Sequence, residues 1–337
     1  MCSVESPVTP LSSARIKAEA LHLGFHACGM ARAEAVSQDR QAEYGRWLAE
    51  GCHADMEYLA RHVEKKSDPR LLVEGARTMV SLAVNYYSPL PEDKAEKRDE
   101  SSGQAPSVGE KDGNAWHIGR YALGTDYHEV VKRMLRQLLQ ALGLEEGTDG
   151  RCFVDTAPVD EKYWAVQCGL GWRGRNSQLI LPHAGSYFFL GELILTHEVD
   201  AYDQPMASHC GTCRKCLDAC PTGALKGDGT MDARKCLSYL TIEHRGPLPE
   251  GTGRLMESCF YGCECCAASC PWNASFAQPT DVEALKPRAS ILAMTPEDWR
   301  HLTVERYQEL FRKSAVKRAK YEGLMRNIQA LDASDSR

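Results

Sequence analysis

Cysteine is the residue type whose distribution in this chain points most directly to chemistry. Of the 15 cysteines among 337 residues, ten lie between positions 210 and 270. Disulfide frameworks are typical of short secreted chains, and the first residues here lack the basic segment and apolar core of a secretory signal. We therefore interpret the ten as metal ligands and their close neighbours. The other five are interpreted as free thiols: Cys2, Cys28, Cys52, Cys152 and Cys168.

Two ferredoxin-like spacings run through this cysteine-rich segment. The first is C-x2-C-x2-C-x3-C-P over 210–221, and the second is C-x2-C-x3-C-P over 263–271, which lacks its first cysteine. Three cysteines two residues apart can wrap one cubane, and the fourth, before proline, ligates the other cluster in two-cluster ferredoxins. Cys236, 27 positions before Cys263, is the natural replacement for the missing ligand.

These spacings predict two [4Fe-4S] clusters whose ligand sets cross between the motifs. The expected ligands are Cys210, Cys213, Cys216 and Cys270 for cluster 1, and Cys220, Cys236, Cys263 and Cys266 for cluster 2. The alternative is one or two four-cysteine zinc sites, which do not need the two C-x3-C-P endings. Cys265 could compete with Cys266, and Cys259 could replace Cys236, although both are interpreted more simply as packed thiols.

The composition is that of a globular chain with a full core. Apolar residues make up 43% and charged residues 26%, the formal net charge is −6, and the length suits about two domains. No segment reaches the roughly 20 apolar residues of a membrane-spanning helix. Because the overall charge is not basic, an anionic partner has to be met by local patches.

The elements ahead of the cysteines alternate between strands and helices. Helices are expected over 12–24 and from Thr125 to Gly143, and strands over 78–87, 152–155 and 187–195. This alternation predicts an α/β or α+β layer domain up to about residue 200. Residues 89–114 are charged and rich in Pro, Gly and Ser, which predicts a mobile loop. After Pro287 the pattern is helical to the end.

Five segments resemble the epoxyqueuosine reductase family. They read RYALGTDYHEVV, VDTAPVDEK, GLGWRGRNSQLIL, PTGALKGDGTMDARKCLSYLTIEHRG and YGCECCAASCPWN. The resemblance implies an α+β chain of three parts. Residues 1–200 would form an α/β cobalamin-binding domain like that of reductive dehalogenases, residues 201–275 a two-[4Fe-4S] ferredoxin-like module, and residues 276–337 a short HEAT-like helical portion that contacts tRNA.

The implied activity is the last step of queuosine synthesis, in which epoxyqueuosine at the anticodon wobble position of tRNA loses its epoxide oxygen as water. Asp155, at the end of the strand CFVD, matches the family's proton donor, and a carboxyl buried under a corrin would have a raised pKa. By itself, an Asp before Thr-Ala-Pro is also typical of a helix cap. The implied cobalamin contacts are Lys66, where the family more often has arginine, Gly119, Asp155, Asn176 and Ser238.

The tRNA contacts are expected near the C-terminus. Six positive residues and one negative residue lie in 312–326, among them Lys317, Arg318 and Lys320, and such phosphate contacts are independent of sequence. On composition alone, a solvated helix face is the preferred interpretation of this run, and the resemblance favours the tRNA contact instead. His244 and Arg245 are candidates for gripping the target base, which has to turn into the active site.

The resemblance further implies a cytoplasmic monomer without membrane contact, supplied by an external single-electron donor of ferredoxin or flavodoxin type. Two rival interpretations remain at this point. A corrinoid reductive dehalogenase would use the same scaffold but usually carries an export signal. A two-cluster electron-transfer protein would contain iron and sulfide but no cobalt, and would not need some 200 residues ahead of its clusters.

Overall fold

The computed structural model describes residues 10–90 and 116–335. The loop expected over 89–114 therefore lies almost wholly outside the described residues, as does Cys2. None of the described helices combines the length and apolar character that crossing a membrane requires. The described strands are β1 (Ala27–Arg32), β2 (Thr78–Asn85), β3 (His117–Ile118), β4 (Gly150–Phe153), β5 (Trp172–Arg173), β6 (Leu179–Ile180), β7 (Phe188–Leu195) and β8 (Cys259–Tyr261).

The described helices differ in length, and the longest, Tyr127–Leu142 and Lys320–Asp335, have 16 residues each. The described helices are α1 (Ser13–His22), α2 (Gln38–Ala49), α3 (Val63–Ser67), α4 (Tyr127–Leu142), α5 (Glu161–Gln167), α6 (Lys215–Asp218), α7 (Leu237–Ile242), α8 (Thr252–Leu255), α9 (Cys265–Ala268), α10 (Pro271–Phe276), α11 (Ala289–Leu292), α12 (Pro296–Arg300), α13 (Val304–Leu310) and α14 (Lys320–Asp335).

A four-stranded antiparallel sheet of order β1–β2–β7–β4 is the frame of the first domain. The central strands β2 and β7 are buried along nearly their whole length, because helices cover both faces. Helices α1 and α4 pack on one face, and α5 packs on the other. The antiparallel order decides between the two predicted classes in favour of α+β.

Local signals explain where α1 begins and where α4 ends. The Ser12 hydroxyl caps α1 by accepting from the Arg15 N–H, and Gly143 ends α4 in a left-handed conformation. Helix α4 lies close to the sheet over Gly191, where an added Cβ would come within 2.7 Å of a Val131 methyl carbon. The predicted helices and strands of this domain are thus confirmed.

The C-terminal helices form a second core with β8 and the segment around β3. Helix α14 is bound tightly to the cysteine-rich module: Arg326 donates to the carbonyls of Leu240, His244 and Gly246. The expectation of one basic helix over 312–326 is wrong. Lys313 and Lys320 have φ of 54° and 60°, so the run divides into a turn, a short 3-10 helix and the start of α14.

Candidate functional site

The expected ligands of cluster 1 come together although they are far apart in sequence. The pKa of the Cys216 thiol is raised by burial and then by the neighbouring charges of Cys270, Cys210 and Cys213. Burial likewise raises the pKa of Cys270, with further contributions from Cys210 and Cys213. The cysteine before Pro271 therefore lies among the first three cysteines of the first motif, as the crossed assignment expects.

A second group of thiols surrounds Cys266. Burial raises its pKa to about 12, and electrostatic interactions with Cys236, Cys220, Cys265 and Cys216 raise it as well. Cys263 belongs to the same group of thiols, because its thiol is hydrogen-bonded with that of Cys265. Cys220, from the first motif, thus lies with the cysteines of the second motif.

This donor set, two adjacent groups made of thiols, fits two iron–sulfur clusters. Within residues 10–90 and 116–335, no three His, Cys, Asp or Glu side chains converge as ligands of a single metal ion do. Four of the five scattered cysteines lie in the described part, and all four are free thiols, as expected. Cys52, Cys152 and Cys168 are buried, and Cys28 is half-buried.

Trp172 is a neighbour of Cys210, one of the ligands expected for cluster 1, and the sequence did not single it out. It belongs to the hairpin of β5 and β6, is 1% exposed, and donates its indole N–H to the Cys210 sulfur at 3.4 Å. Trp272 packs against it edge-to-face, with ring centroids 4.8 Å apart. The only signal in the sequence is a tryptophan inside the glycine-rich motif GLGWRGRN, which by itself also suits a core position.

Asp155 follows β4 on a turn that holds its carboxylate in place. Its φ is 52°, a left-handed value that costs an ordinary residue energy, and its side chain is 55% exposed. The Tyr127 hydroxyl donates to Asp155 Oδ2, and His128 Nε2 lies 3.3 Å from the same oxygen. Because the carboxylate bonds to the start of α4 rather than to α5, whose capping residue is Asp160, the helix-cap interpretation is wrong.

The side chains around Asp155 favour its charged form. Burial raises its pKa, but hydrogen bonds from His128 and Tyr127 and the positive charges of His128 and Lys162 outweigh burial and lower it, so these neighbours keep Asp155 ionised at neutral pH. The expectation of a raised pKa concerns a carboxyl covered by a corrin and stays a prediction. Among the neighbours, Glu161 has a raised pKa, because burial and the charge of Asp155 raise it to about 7.

His128 carries the proton that Asp155 lacks. Burial lowers its pKa, but hydrogen bonds to Asp126 and Asp155 outweigh this and raise it to about 9. This histidine belongs to the motif RYALGTDYHEVV, and nothing in the motif indicates its role. Its effect on Asp155 depends on the packing of α4 beside the end of β4, which no local pattern indicates.

The residues expected to contact cobalamin lie on different elements of the fold. Lys66 donates to the Val159 carbonyl at 3.2 Å, and the Gly119 N–H donates to the Tyr261 carbonyl at 2.8 Å. Ser238, in α7, is half-buried. Asn176 is 2% exposed, and its amide group bonds the backbone of Cys266 and Gln178.

The residues expected to contact tRNA divide into engaged and open ones. Both ring nitrogens of His244 are 3.1 Å from oxygens, one of Asp55 and one of Pro247, and Arg245 donates to backbone carbonyls. Arg318 forms two 2.8 Å bonds to Glu243. By contrast, Lys317 and Lys320 line an open cavity of about 620 Å³ whose wall includes Arg312, Tyr307 and Tyr321.

Comparison with known proteins agrees with these features. Residues 66–156 match the family model described as epoxyqueuosine reductase QueG, DUF1730, and residues 209–273 match the 4Fe-4S double cluster binding domain. The epoxyqueuosine reductase of Cellulophaga algicola is 39% identical over 94% of this chain and 96% of its own. That of Cyclobacterium marinum is 42% identical over 93% and 94%.

The chain belongs to the epoxyqueuosine reductase family. It is accordingly an oxidoreductase with a double-cluster domain, and the resemblance stated from its motifs is confirmed. The structure of the epoxyqueuosine reductase from Streptococcus thermophilus matches with a TM-score of 0.81 and 30% identity, over 96% of this chain and 81% of that one. An epoxyqueuosine reductase crystallised with a tRNA-Tyr epoxyqueuosine-modified stem loop has the same fold, with a TM-score of 0.81 and 24% identity over 95% and 80%.

Proposed function

We propose that this chain reduces epoxyqueuosine at the wobble position of tRNA to queuosine, with Asp155 as the proton donor. The observation that carries the role of Asp155 is its position. The carboxylate is half exposed on the turn after β4, and Tyr127 and His128 both form hydrogen bonds with its Oδ2 atom. Membership of the family supports the substrate, and the relative solved with a modified tRNA stem loop supports tRNA as the partner.

Two [4Fe-4S] clusters and cobalamin are the cofactors of this proposal. When bound, they supply single-electron transfer and a reducing cobalt centre. We assign the cluster ligands in crossed sets. Cys263 and Cys265 lie side by side, and we choose Cys263 as the ligand because it keeps the C-x2-C spacing. The proposed ligands are Cys210, Cys213, Cys216 and Cys270 for cluster 1, and Cys220, Cys236, Cys263 and Cys266 for cluster 2.

The side chains around Asp155 fit the polar rim of a corrin to different degrees. Lys66 uses one of its three N–H donors on Val159, which leaves two for a carboxamide or phosphate, and the hydroxyl side chain of Ser238 is partly exposed. Gly119 uses its backbone N–H on the Tyr261 carbonyl, which leaves its carbonyl as the backbone group for such a contact. Asn176 fits poorly as a ligand contact, because it is buried and its amide supports the loop of Cys266.

The role of Asp155 is tested by Asp155→Asn, which keeps the shape of the side chain but cannot deliver a proton. General acids contribute ~10²–10⁴-fold, so single-turnover reduction of epoxyqueuosine-tRNA should slow by that order. Corrin binding, measured by absorbance, should change little. The matched control is Asp149→Asn, since Asp149 also pairs with a histidine, His197, at 2.8 Å in the same domain. An unchanged rate for Asp155→Asn would remove this residue from the mechanism.

For tRNA binding we propose the open cavity formed around Lys317 and Lys320. The side chains of Lys317 and Lys320 are exposed, whereas the charge of Arg318 is already neutralised by Glu243. The proposed contact therefore involves fewer residues than the whole basic run. His244 and Arg245 remain our candidates for the side that faces the target base. Their present bonds to Asp55 and to backbone carbonyls would have to be exchanged when the base enters.

A Lys317→Ala/Lys320→Ala variant tests this contact. If both residues meet phosphates, the slope of log affinity against log salt should become shallower by about 1.4–1.8, since each contact contributes ~0.7–0.9. Reduction of a free epoxyqueuosine nucleoside should be unaffected. Arg133→Ala, which removes an exposed charge from α4, is the control. An unaltered slope in the double variant would show that Lys317 and Lys320 do not contact phosphates.

We further infer an external single-electron donor of ferredoxin or flavodoxin type, a monomeric state and a cytoplasmic location. The donor and the location follow from the proposed chemistry, because a tRNA substrate and low-potential electrons are available together in the cytoplasm. The monomeric state is carried over from the resemblance to the family. Size-exclusion chromatography with light scattering of the cluster-loaded protein measures the monomer directly. Reduction assays with a ferredoxin and a flavodoxin, each as sole donor, separate the two donor classes.

A further inference from the structure

The proposed reaction needs more protons than Asp155 holds. Converting an epoxide to an alkene and water breaks two carbon–oxygen bonds and consumes two electrons and two protons. One carboxyl group can deliver one proton, and the neighbours of Asp155 keep it ionised at neutral pH. The site therefore needs a group that holds a proton at neutral pH and is hydrogen-bonded to the Asp155 carboxylate.

His128 meets this requirement by its position. It lies in the first turn of α4, with Nδ1 2.6 Å from Asp126 Oδ1 and Nε2 3.3 Å from Asp155 Oδ2. Asp126 is the N-cap residue of the same helix, so the backbone that starts α4 also orients the ring. The imidazole thus bridges two carboxylates, an arrangement that favours its charged form. Its side chain is 34% exposed, which leaves an edge in contact with solvent.

We propose that His128 is the proton store of this site, an inference that rests on the proposed function. The Nε2–H bond of His128 breaks, the proton passes to Asp155 Oδ2, and Asp155 then delivers it to the leaving oxygen. His128 becomes neutral and regains a proton from solvent at its exposed edge. A second transfer along the same route supplies the second proton, and the two electrons come from the cluster chain of the proposed function.

The buried carboxyls nearby do not offer the same path. Glu161 Oε1 accepts from the backbone N–H of Asp155 at 2.6 Å, so its hydrogen bond leads to the main chain and not to the reacting carboxylate. Glu192 is fully buried behind Glu161 on the side of the sheet that α5 covers. Burial and the charge of Glu161 raise the pKa of Glu192 well above its usual range, so it stays neutral.

The charged and titratable groups around His128 define its pH response. They are Asp126 and Tyr127 on its own helix, Asp155 on the turn after β4, and, beyond Asp155, Glu161 and Lys162 on α5. The two aspartates hold the imidazole charged below pH about 9, and it becomes neutral above that value. Because the folded pKa exceeds the ordinary value near 6.5, the store is filled at neutral pH and empties as the pH rises.

The test uses the cluster- and cobalamin-loaded enzyme with epoxyqueuosine-tRNA. His128→Gln keeps a hydrogen-bonding side chain but stores no proton. We expect kcat at pH 7.5 to fall about 100-fold, the lower end of the range for general acid–base groups, with KM for tRNA nearly unchanged. The decline of kcat above pH about 9 in the native enzyme should be absent in the variant. His197→Gln, which breaks the His197–Asp149 pair elsewhere in the domain, should keep both the rate and the profile.

A second measurement does not depend on turnover. Nitrogen-15 NMR of labelled histidines should show His128 titrating near pH 9, and this titration should move toward 6.5 in Asp155→Asn. Retention of the native rate and alkaline decline by His128→Gln, or titration of His128 at or below pH 6.5, would overturn the proposal. Failure of the proposed function is distinguishable, because the native enzyme would then leave epoxyqueuosine-tRNA unreduced while the NMR titration still reports on His128.

Discussion

Replacement of Trp172 by Phe should lower the reduction potential of cluster 1. The substitution keeps a buried aromatic ring but removes the N–H that lies 3.4 Å from the Cys210 sulfur. A cluster gains one negative charge on reduction, and hydrogen bonds to its sulfurs are among the factors that set its potential. The donor therefore stabilises the reduced form more than the oxidised form, and its removal disfavours reduction.

The size of this effect follows from the strength of one buried hydrogen bond. A typical net value is ~0.5–1.5 kcal/mol, and we take this as the difference between the two oxidation states. Since 1.36 kcal/mol is one factor of ten and a one-electron factor of ten is 59 mV, the expected shift is about 20–65 mV downward.

An anaerobic redox titration followed by electron paramagnetic resonance measures this shift. Cluster 2 serves as an internal reference, because Trp172 contacts Cys210, a ligand of cluster 1 alone in the crossed assignment. Trp272→Phe is the control: it alters the ring that packs edge-to-face on Trp172 but leaves the N–H···S bond in place. An unchanged or raised potential in Trp172→Phe, with the cluster still present, would refute the reasoning.

Three further predictions concern ligands and packing. Cys220→Ser should reduce the iron content from about eight to about four per chain and remove the signal of cluster 2. Cys265→Ser should keep both clusters. Loss of cluster 1 alone in Cys220→Ser would contradict the crossed sets. Gly253→Ala should destabilise the chain by ~1–3 kcal/mol in urea unfolding, because its Cβ would lie 1.9 Å from a carbonyl oxygen of α14. Gly323→Ala, with no atom closer than 3.5 Å, should instead stabilise by ~0.5–1 kcal/mol. Leu135→Ala, fully buried between α4 and the sheet, should cost ~2–5 kcal/mol in the same assay.

Features that depend on local pattern were predictable from the sequence. The apolar face of α4, its end at Gly143 and the apolar run of β2 are readable because each is decided within a few residues. The crossing of the ligand sets was also predictable, because the spacing of cysteines within each motif is local. The geometry of a cluster fixes this spacing independently of the loops between the motifs, and the structure brings the same thiols together.

Features that depend on distant neighbours were not predictable. The pKa of Asp155 is set by Tyr127 and His128, which precede it by 28 and 27 positions and meet it only because α4 starts beside the end of β4. The division of the basic run has another cause. Lys313 and Lys320 are ordinary helix formers, yet packing of the second core holds both in the left-handed region. Propensity was overruled there by tertiary contacts.

The attachment of α14 has a mechanical consequence. Its first residue, Lys320, borders the cavity proposed for phosphates, while Arg326 and Asn327 in its middle are bonded to the carbonyls that end α7, the helix that begins directly after Cys236. A helix fixed by hydrogen bonds at several points moves as one piece. If RNA binds at this cavity, we therefore expect a displacement of Lys320 to reach the loop of Cys236, a proposed cluster ligand, and the spectrum of the iron to change on RNA binding.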